Sequence, residues 1–206
     1  MVITEQQRGL LFVLVGPGGA GKNTLMTILM QRLPTLQKLV TATTRSVRTN
    51  EVEGIDHYFV SLERFHELLT QSELLEHTEV TPGKFYGILR TPVEQALSSS
   101  QTLIADIDVL GARILRATYR DDVVLIFVTV PGETDEERLD NLRRRMEERG
   151  ESPALIEERL DRARLIELPF SADCDCIVIN ADRQMDTALQ DIEQCIQQWQ
   201  ERRKVV

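Results

Sequence analysis

The fold is decided by the stretch Gly16-Pro17-Gly18-Gly19-Ala20-Gly21-Lys22-Asn23-Thr24. The apolar residues 10–15 before it predict a short buried strand, and apolar residues three and four apart after it predict a helix. A glycine-rich turn between a strand and a helix lets successive backbone N–H groups face one anion, and the helix N-terminus adds positive charge. Lys22 carries a further charge toward the β- and γ-phosphates. The stretch therefore predicts a phosphate-binding loop for a nucleoside triphosphate.

The residue after the lysine departs from the usual phosphate-loop pattern. A serine or threonine commonly stands there and binds Mg²⁺ through its hydroxyl, whereas this chain has Asn23 followed by Thr24. An amide oxygen can bind a hard cation, and Mg²⁺ usually keeps several of its waters. We therefore expect Asn23 to contact the metal directly or through water, with help from a carboxylate elsewhere in the chain.

Length and composition are those of one globular domain with room for an inserted lobe, since the chain has 206 residues. The net charge of -9 argues against a nucleic-acid binder or a binder of anionic membranes. No stretch approaches the roughly 18 apolar residues of a membrane span, and residues 1–8 lack the apolar core of a signal peptide. We expect a cytoplasmic protein whose three cysteines, Cys174, Cys176 and Cys195, are reduced thiols.

Helix starts are predicted by capping patterns. Thr91, followed by Pro92 and a glutamate, and Thr134, with Glu137 three residues later, both have the form of a capping box with threonine as the N-cap. Ser152, followed by a proline, predicts a third start. We therefore expect helices to begin just after residues 91, 134 and 152.

Further motifs follow the phosphate loop in a fixed order. They are Thr43-Thr44-Arg45 with Arg48, Glu51-Val52-x-Gly54, Tyr58-Phe59-Val60, Leu74-Leu75-Glu76-His77-Thr78-Glu79-Val80, Phe85-Tyr86-Gly87 and Ile104-Ala105-Asp106-Ile107-Asp108-Val109-Leu110-Gly111-Ala112. In this order and spacing, the motifs resemble the guanylate kinase family from about residue 9 to about residue 190. The resemblance implies an enzyme that transfers a phosphoryl group from ATP to GMP with Mg²⁺ as cofactor.

The resemblance also implies which residues bind the acceptor GMP. Arg45 and Arg48 are similar to the pair that holds its phosphate, and Glu76 to the carboxylate that accepts from guanine N1–H and the 2-amino group. Adenine does not offer that pair of donors on the same edge. The expected GMP-binding residues are Thr41, Arg45, Arg48, His57, Glu76, Tyr86, Asp106 and Asp108.

The donor site combines the phosphate loop with residues from the C-terminal third of the chain. The expected ATP-binding residues are Gly16, Gly18, Gly19, Ala20, Gly21, Lys22, Asn23, Thr24 and Asn180. By the resemblance, Lys22 and the arginines Arg145, Arg149 and Arg159 are catalytic because their charges stabilise the transferred phosphoryl group. The alternative for these arginines is a solvated helix face, since glutamates are interleaved with them. We expect that alternative for Arg143 and Arg144.

Two positions depart from the family pattern and support other hypotheses. His57 stands where a tyrosine usually contacts the acceptor phosphate, and it either donates to phosphate or only packs against its strand. Ile88 stands where a small hydroxyl residue is usual. Asn23, His57 and Ile88 together motivate a second hypothesis, a kinase of the same fold for another phosphorylated acceptor such as ribose 1,5-bisphosphate. A third hypothesis is a non-catalytic guanylate-kinase-like domain that binds a protein. Lys22 argues against it, because such domains typically lack this lysine.

The expected fold class is α/β, with a P-loop NTPase-type parallel sheet flanked by helices and joined by right-handed crossovers. The near-continuous apolar run at 123–130 is typical of a central strand covered on both faces. The kinase-like domain is expected at 9–190, with a GMP-binding lobe at 41–100, a helical lid at 133–168, and the end of a C-terminal helix and a tail at 191–206. ATP and GMP are the expected partners, without nucleic acid or membrane, and the oligomeric state is left open.

Overall fold

A five-stranded parallel sheet forms the centre of the computed structural model, which describes residues 8–205. Val206, and the polar N-terminal stretch apart from Arg8, lie outside the described residues. In chain order the strands are β1 (Leu10–Val15), β2 (Leu36–Lys38), β3 (Thr41–Thr43), β4 (His57–Phe59), β5 (Leu74–Thr81), β6 (Lys84–Leu89), β7 (Thr102–Asp106), β8 (Val123–Thr129) and β9 (Cys176–Ile179). The central sheet has the order β2-β7-β1-β8-β9. The expected α/β architecture is thereby confirmed.

Helices connect these strands and cover the sheet. They are α1 (Lys22–Arg32), α2 (Leu62–Thr70), α3 (Arg90–Ser98), α4 (Val109–Tyr119), α5 (Asp135–Glu148), α6 (Pro153–Arg162), α7 (Leu168–Phe170) and α8 (Met185–Val205). A π-helical segment, Ala163–Glu167, joins α6 to α7. Within residues 8–205, no helix combines the length and the apolarity that crossing a membrane requires.

Side chains of the central strands alternate between two cores. Every residue of β1 and β8 is buried. In β1, one set packs with α1, α5, α6 and α8, and the alternate set packs with α3 and α4. This two-sided burial is what the near-continuous apolar runs predict. Since all five strands are parallel, their carboxyl ends lie at one edge of the sheet, and the loops that follow them meet there.

A second sheet, with the strand order β4-β3-β6-β5, lies within the segment for which the sequence predicts an acceptor lobe. Strand β6 is antiparallel to both β3 and β5, whereas β3 and β4 run parallel. Helix α2 packs Phe65 and Leu68 against this sheet, where they contact Ala42 and Leu74. The lobe therefore has a small hydrophobic core of its own.

Two of the three predicted helix starts are confirmed. The Thr134 side chain accepts from the backbone N–H of Glu137 at 3.2 Å, and Ser152 caps α6 in the same way. The start after Thr91 is wrong. Helix α3 already begins at Arg90, because β6 runs directly into it, and its N-cap position is Leu89, which makes no side-chain cap.

The expectation that all three cysteines are reduced is also wrong. Cys176 in β9 and Cys195 in α8 form a disulfide across 19 positions of sequence. Helix α8 folds back over β9 and brings the two sulfurs together, a contact that the sequence spacing does not reveal. Cys174 is free, and burial raises its thiol pKa to about 12.

Thiol titration of the denatured protein without reductant should therefore detect only Cys174, and titration after reduction should detect all three cysteines. Reduction should lower the free energy of unfolding by about 3 kcal/mol, the effect expected when a closed loop of this size is opened. The Cys174→Ala variant is the control and should show no thiol before reduction. Detection of all three thiols in unreduced wild-type protein would contradict the disulfide.

Candidate active site

The phosphate loop fits closely between β1 and its neighbours. Gly16 adopts a φ of 138°, and a Cβ atom there would lie 2.1 Å from the carbonyl oxygen of Val128 in β8. Gly21, with a φ of 89°, precedes the first turn of α1, and a Cβ atom there would lie 2.5 Å from Nδ2 of Asn180. Only glycine satisfies both constraints, because it has no Cβ and tolerates positive φ. The loop and the start of α1 line a cavity of about 540 Å³.

Lys22 lies in this cavity, with its ammonium group against the backbone of the loop. Its Nζ donates to the carbonyl oxygens of Gly16 at 2.7 Å and Pro17 at 3.3 Å. Nζ also lies 3.8 Å from Oδ1 of Asp106, at the end of β7. The cavity is also lined by Asn23 and Thr24. The cavity thus contains a flexible cation that can pair with a phosphate and side-chain oxygens that can bind a metal ion.

Asn180 holds the loop rather than lying open to the cavity. Its side chain is buried, and Nδ2 donates to the carbonyl oxygen of Ala20 at 2.8 Å. Arg145 in turn donates to the Asn180 carbonyl and to Oδ1 of Asp182, both at 2.6 Å. The structure therefore does not bring Arg145 to the cavity, where the sequence analysis expected it. Arg145 and Asn180 form a support behind the loop.

The other two predicted lid arginines do lie over the loop. Arg149 and Arg159 both line the cavity. Positions for a Cβ atom on Gly19 and Gly18 lie 3.3 Å from Nη2 of Arg149 and 3.4 Å from Cδ of Arg159, respectively. Glu151 pairs with both arginines, at 3.5 Å and 2.7 Å. Both arginine side chains therefore lie beside the phosphate loop, where Glu151 holds their guanidinium groups.

Two further lid arginines lie on the solvated face, as expected. Arg143 pairs with Glu157, and Arg144 pairs with Glu148 and Asp182. Neither arginine is among the residues that line the cavity over the loop. Arg143 and Arg144 therefore belong to a solvated helix face with paired charges, whereas Arg149 and Arg159 line the cavity.

A second cavity, of about 490 Å³, lies beside the first. Most of the predicted acceptor-binding residues line it, together with Thr78 and Ile88 from the facing strands β5 and β6. The predicted residues that line it are Thr41, His57, Glu76, Tyr86, Asp106 and Asp108. The lobe sheet and the end of β7 thus form its walls.

Glu76 is the buried carboxylate of this second cavity. Its side chain projects from β5, and Oε1 accepts from the Thr78 hydroxyl at 2.6 Å. Burial raises the pKa of Glu76, and the nearby charge of Asp108 adds to this effect, whereas the Thr78 hydrogen bond opposes it. A ligand with two adjacent N–H donors would relieve this desolvation, because hydrogen bonds to the charged form favour that form.

His57 is half-buried, and its surroundings favour the uncharged form of the ring. Its Nδ1 lies 2.8 Å from the Thr41 hydroxyl, and its ring meets the Tyr86 ring edge-on at 5.6 Å between centroids. Burial, together with the charges of Lys38 and Arg45, lowers the pKa of His57. The ring is therefore uncharged at neutral pH and interacts with ligands as a hydrogen-bonding group rather than as a cation.

Arg45 does not line the second cavity, but it contacts Tyr86, which does. Its Nε donates to the Tyr86 hydroxyl at 2.7 Å, and its Nη1 donates to Glu51 at 2.6 Å. The hydrogen bonds from Arg45 lower the pKa of Glu51 to about 2, so that this carboxylate stays ionised. The Arg48 backbone N–H donates to the same carboxylate at 2.9 Å, and the residue is exposed. Neither arginine lines the cavity itself.

The two cavities meet at the end of β7. Asp106, Ile107 and Asp108 line both, and so does Arg162 from the last turn of α6. Strand β7 pairs with β1 in a register that sets Asp106 opposite Leu14, two residues before the phosphate loop. The two sites therefore share one wall, at the edge where the parallel strands end.

Sequence reasoning missed two residues at this junction. Arg162 lies one helical turn after Arg159, so that helical spacing already placed the two on one face of α6. Glu167 is buried in the π-helical segment, lines the first cavity and accepts from the backbone N–H of Gly18. No pattern in the sequence indicates the π-helical turn that brings Glu167 to the loop.

A sequence model of the guanylate kinase family matches residues 8–199 of this chain. A guanylate kinase from Salinibacter ruber is 38% identical over 182 residues, which is 88% of this chain and 92% of that protein. One from Bradyrhizobium diazoefficiens is 41% identical over 189 residues, 91% of this chain and 82% of that protein. The crystal structure of guanylate kinase from Anaplasma phagocytophilum is similar with a TM-score of 0.68 at 27% identity, over 93% of this chain and 86% of that one.

The hydrogen bond from Asn180 to the Ala20 carbonyl predicts an effect on stability. Asn180→Ala should lower the free energy of unfolding by about 1–3 kcal/mol, because it leaves the buried Ala20 carbonyl without its donor. Asn180→Asp should be no better, since a carboxylate cannot donate. Urea unfolding measures the effect, with exposed Gln190→Ala on α8 as the control, which should change stability by less than about 0.5 kcal/mol. Equal stability of Asn180→Ala and the control would contradict the assigned contact.

Proposed function

This chain belongs to the guanylate kinase family, and we propose that it transfers a phosphoryl group from ATP to GMP, giving ADP and GDP. The observation that carries the proposal is the junction at Asp106 and Asp108, which line both a phosphate-loop cavity and a cavity that contains a buried glutamate. A donor and an acceptor nucleotide bound in these cavities would meet with their phosphates at this wall.

ATP occupies the first cavity in this proposal. The loop N–H groups and the positive end of α1 hold its phosphates, and Lys22 moves from the loop carbonyls to the β- and γ-phosphates. Arg149 and Arg159 cover the same phosphates from the lid. Asn180 and Arg145 act indirectly, because their contacts hold the loop in shape.

GMP occupies the second cavity. Glu76 accepts from guanine N1–H and the 2-amino group, and its desolvated environment makes these bonds selective. Arg45, aligned by Glu51 and Tyr86, holds the phosphate together with Arg48 and neutral His57. Thr41 contacts the base. The combination of a buried carboxylate for a base and an aligned arginine for a phosphate favours GMP over a sugar phosphate.

Phosphoryl transfer here requires alignment and charge, not a covalent enzyme intermediate. An oxygen of the GMP phosphate forms a bond to the γ-phosphorus of ATP, while the bond from that phosphorus to the β–γ bridging oxygen breaks. That bridging oxygen leaves with ADP. We propose that the second sheet with α2 and the lid at 133–168 close during this step and exclude water, which would otherwise hydrolyse ATP.

The residues at the loop fit Mg²⁺ that arrives with ATP. Asn23, Thr24 and Asp106 offer hard oxygen ligands to one cavity. Within residues 8–205 no cluster of three or more His, Cys, Asp or Glu side chains could hold a metal by itself. We propose that the nucleotide phosphates supply most ligands and Asn23 one, directly or through water. The bound ion would neutralise charge on the transferred phosphate.

The proposal is tested by comparing acceptors with ATP and Mg²⁺ in one coupled assay for ADP. GMP and dGMP should be phosphorylated, whereas AMP, UMP and ribose 1,5-bisphosphate should react at least about 100-fold less efficiently, because they leave the buried Glu76 unpaired. Equal rates with AMP and GMP, or a preference for the sugar bisphosphate, would exclude GMP as the specific acceptor. An absence of ADP with every acceptor would instead favour a binding domain.

Glu76→Gln should lower kcat/KM for GMP by about 100-fold, because hydrogen bonds to a charged group contribute roughly 1.5–3 kcal/mol. Glu67→Gln, an exposed change in α2 of the same lobe, is the control and should behave as wild type. Discrimination between GMP and AMP is measured for each variant. If Glu76→Gln keeps wild-type discrimination, the guanine contact is assigned to the wrong residue.

A further inference from the structure

Arg162 occupies the junction between the two cavities. Among the described residues, Arg162 is the one lysine or arginine that lines both cavities. Lys22, Arg149 and Arg159 line the first cavity, at the phosphate loop, and do not line the second. The Arg162 guanidinium group therefore lies where the two cavities adjoin.

Two carboxylates orient the Arg162 side chain, one after β7 and one in the π-helical segment. Its Nη2 lies 3.2 Å from Oδ2 of Asp108, and its Nε lies 3.2 Å from Oε1 of Glu167. Asp108 is itself fixed, because Oδ1 accepts from the Gly111 backbone N–H at 2.9 Å and caps α4. Glu167 is fixed by the N–H of Gly18 in the phosphate loop. One guanidinium thus joins the lid, the phosphate loop and the end of β7.

We propose that Arg162 is a further catalytic residue, which contacts the phosphoryl group during transfer between the two nucleotides. The inference rests on the proposed function and goes beyond it by naming the residue at the point of transfer. The Arg162 and Asp108 side chains are 48% and 30% exposed, so this ion pair is readily exchanged for a phosphoryl oxygen. The Glu167 side chain, 10% exposed, keeps its contact with Nε and holds the guanidinium group in place. A planar guanidinium suits two equatorial oxygens at once, and this is where charge develops.

The competing explanation is that Arg162 serves only as a latch between lid and core. A latch would stabilise the closed arrangement and the binding of both substrates, but it would not discriminate between ground state and transition state. A catalytic arginine would lower kcat while leaving the affinity for each nucleotide nearly unchanged. The two roles therefore differ in the kinetic constant that they affect.

The experiment compares full-length wild type with Arg162→Gln, Arg162→Lys and the control Arg164→Gln. Arg164 lies two residues further along the chain, is exposed and pairs with Asp161 at 3.4 Å. Arg162→Gln should lower kcat with GMP about 1,000-fold, while the Kd values for ATP and GMP from calorimetry change less than about threefold. Arg162→Lys should recover little, because a point charge does not replace a bidentate contact. Arg164→Gln should retain wild-type kcat.

A second measurement reports on the transition state without turnover. Fluoroaluminate added with ADP, GMP and Mg²⁺ should form a tight complex with wild type and Arg164→Gln, and not with either Arg162 variant. Normal trapping by Arg162→Gln, a kcat within a few-fold of wild type, or parallel losses of nucleotide affinity and melting temperature would overturn the proposal. Failure of wild type to phosphorylate GMP would instead refute the proposed function, so that the two failures are distinguishable.

Discussion

The parallel pairing of β1 with β7 is the constraint on which the site depends. Leu14 lies opposite Asp106, so that the loop after β1 and the carboxylates after β7 emerge at the same edge of the sheet. Lys22 lies within 3.8 Å of Asp106 for this reason. The register is held because β1 and its neighbours bury alternate side chains in two cores. A slip of one residue would exchange those faces and separate the loop from the acids that border both cavities.

The second feature of the site is that its arginines are paired before any phosphate binds. Arg45 pairs with Glu51, Arg159 with Glu151, and Arg162 with Asp108. Such pairing orients each guanidinium in advance and reduces the entropy lost on binding. The Arg159 and Arg162 side chains are 40% and 48% exposed, whereas their partners Glu151 and Asp108 are 14% and 30% exposed. Solvent therefore screens these pairs in part, and each contributes roughly 1 kcal/mol. Bound phosphate oxygens can therefore replace these carboxylates at a small cost in free energy.

What the sequence could predict is what local interactions determine. The β1 strand, the glycine turn, the Thr134 cap and the position of Asp106 after a buried strand all follow from neighbouring residues, and the structure contains each of them. The family resemblance indicated Glu76 as a binding residue, and the structure places it in the lining of the second cavity. The features that the sequence does not reveal depend on contacts between distant segments. They include the disulfide between β9 and α8, the hydrogen bond from Arg145 to the Asn180 carbonyl, and the approach of Glu167 through a π-helical turn.

Because the two cavities meet at the end of β7, we expect the phosphoryl group to pass directly from one nucleotide to the other. The stereochemical course of the reaction tests this claim most directly. ATP made chiral at the γ-phosphorus with oxygen isotopes is converted to GDP, and the configuration of the transferred phosphorus is determined. Direct in-line transfer predicts inversion of configuration. Retention would require two displacements through a phosphorylated side chain and would contradict the account.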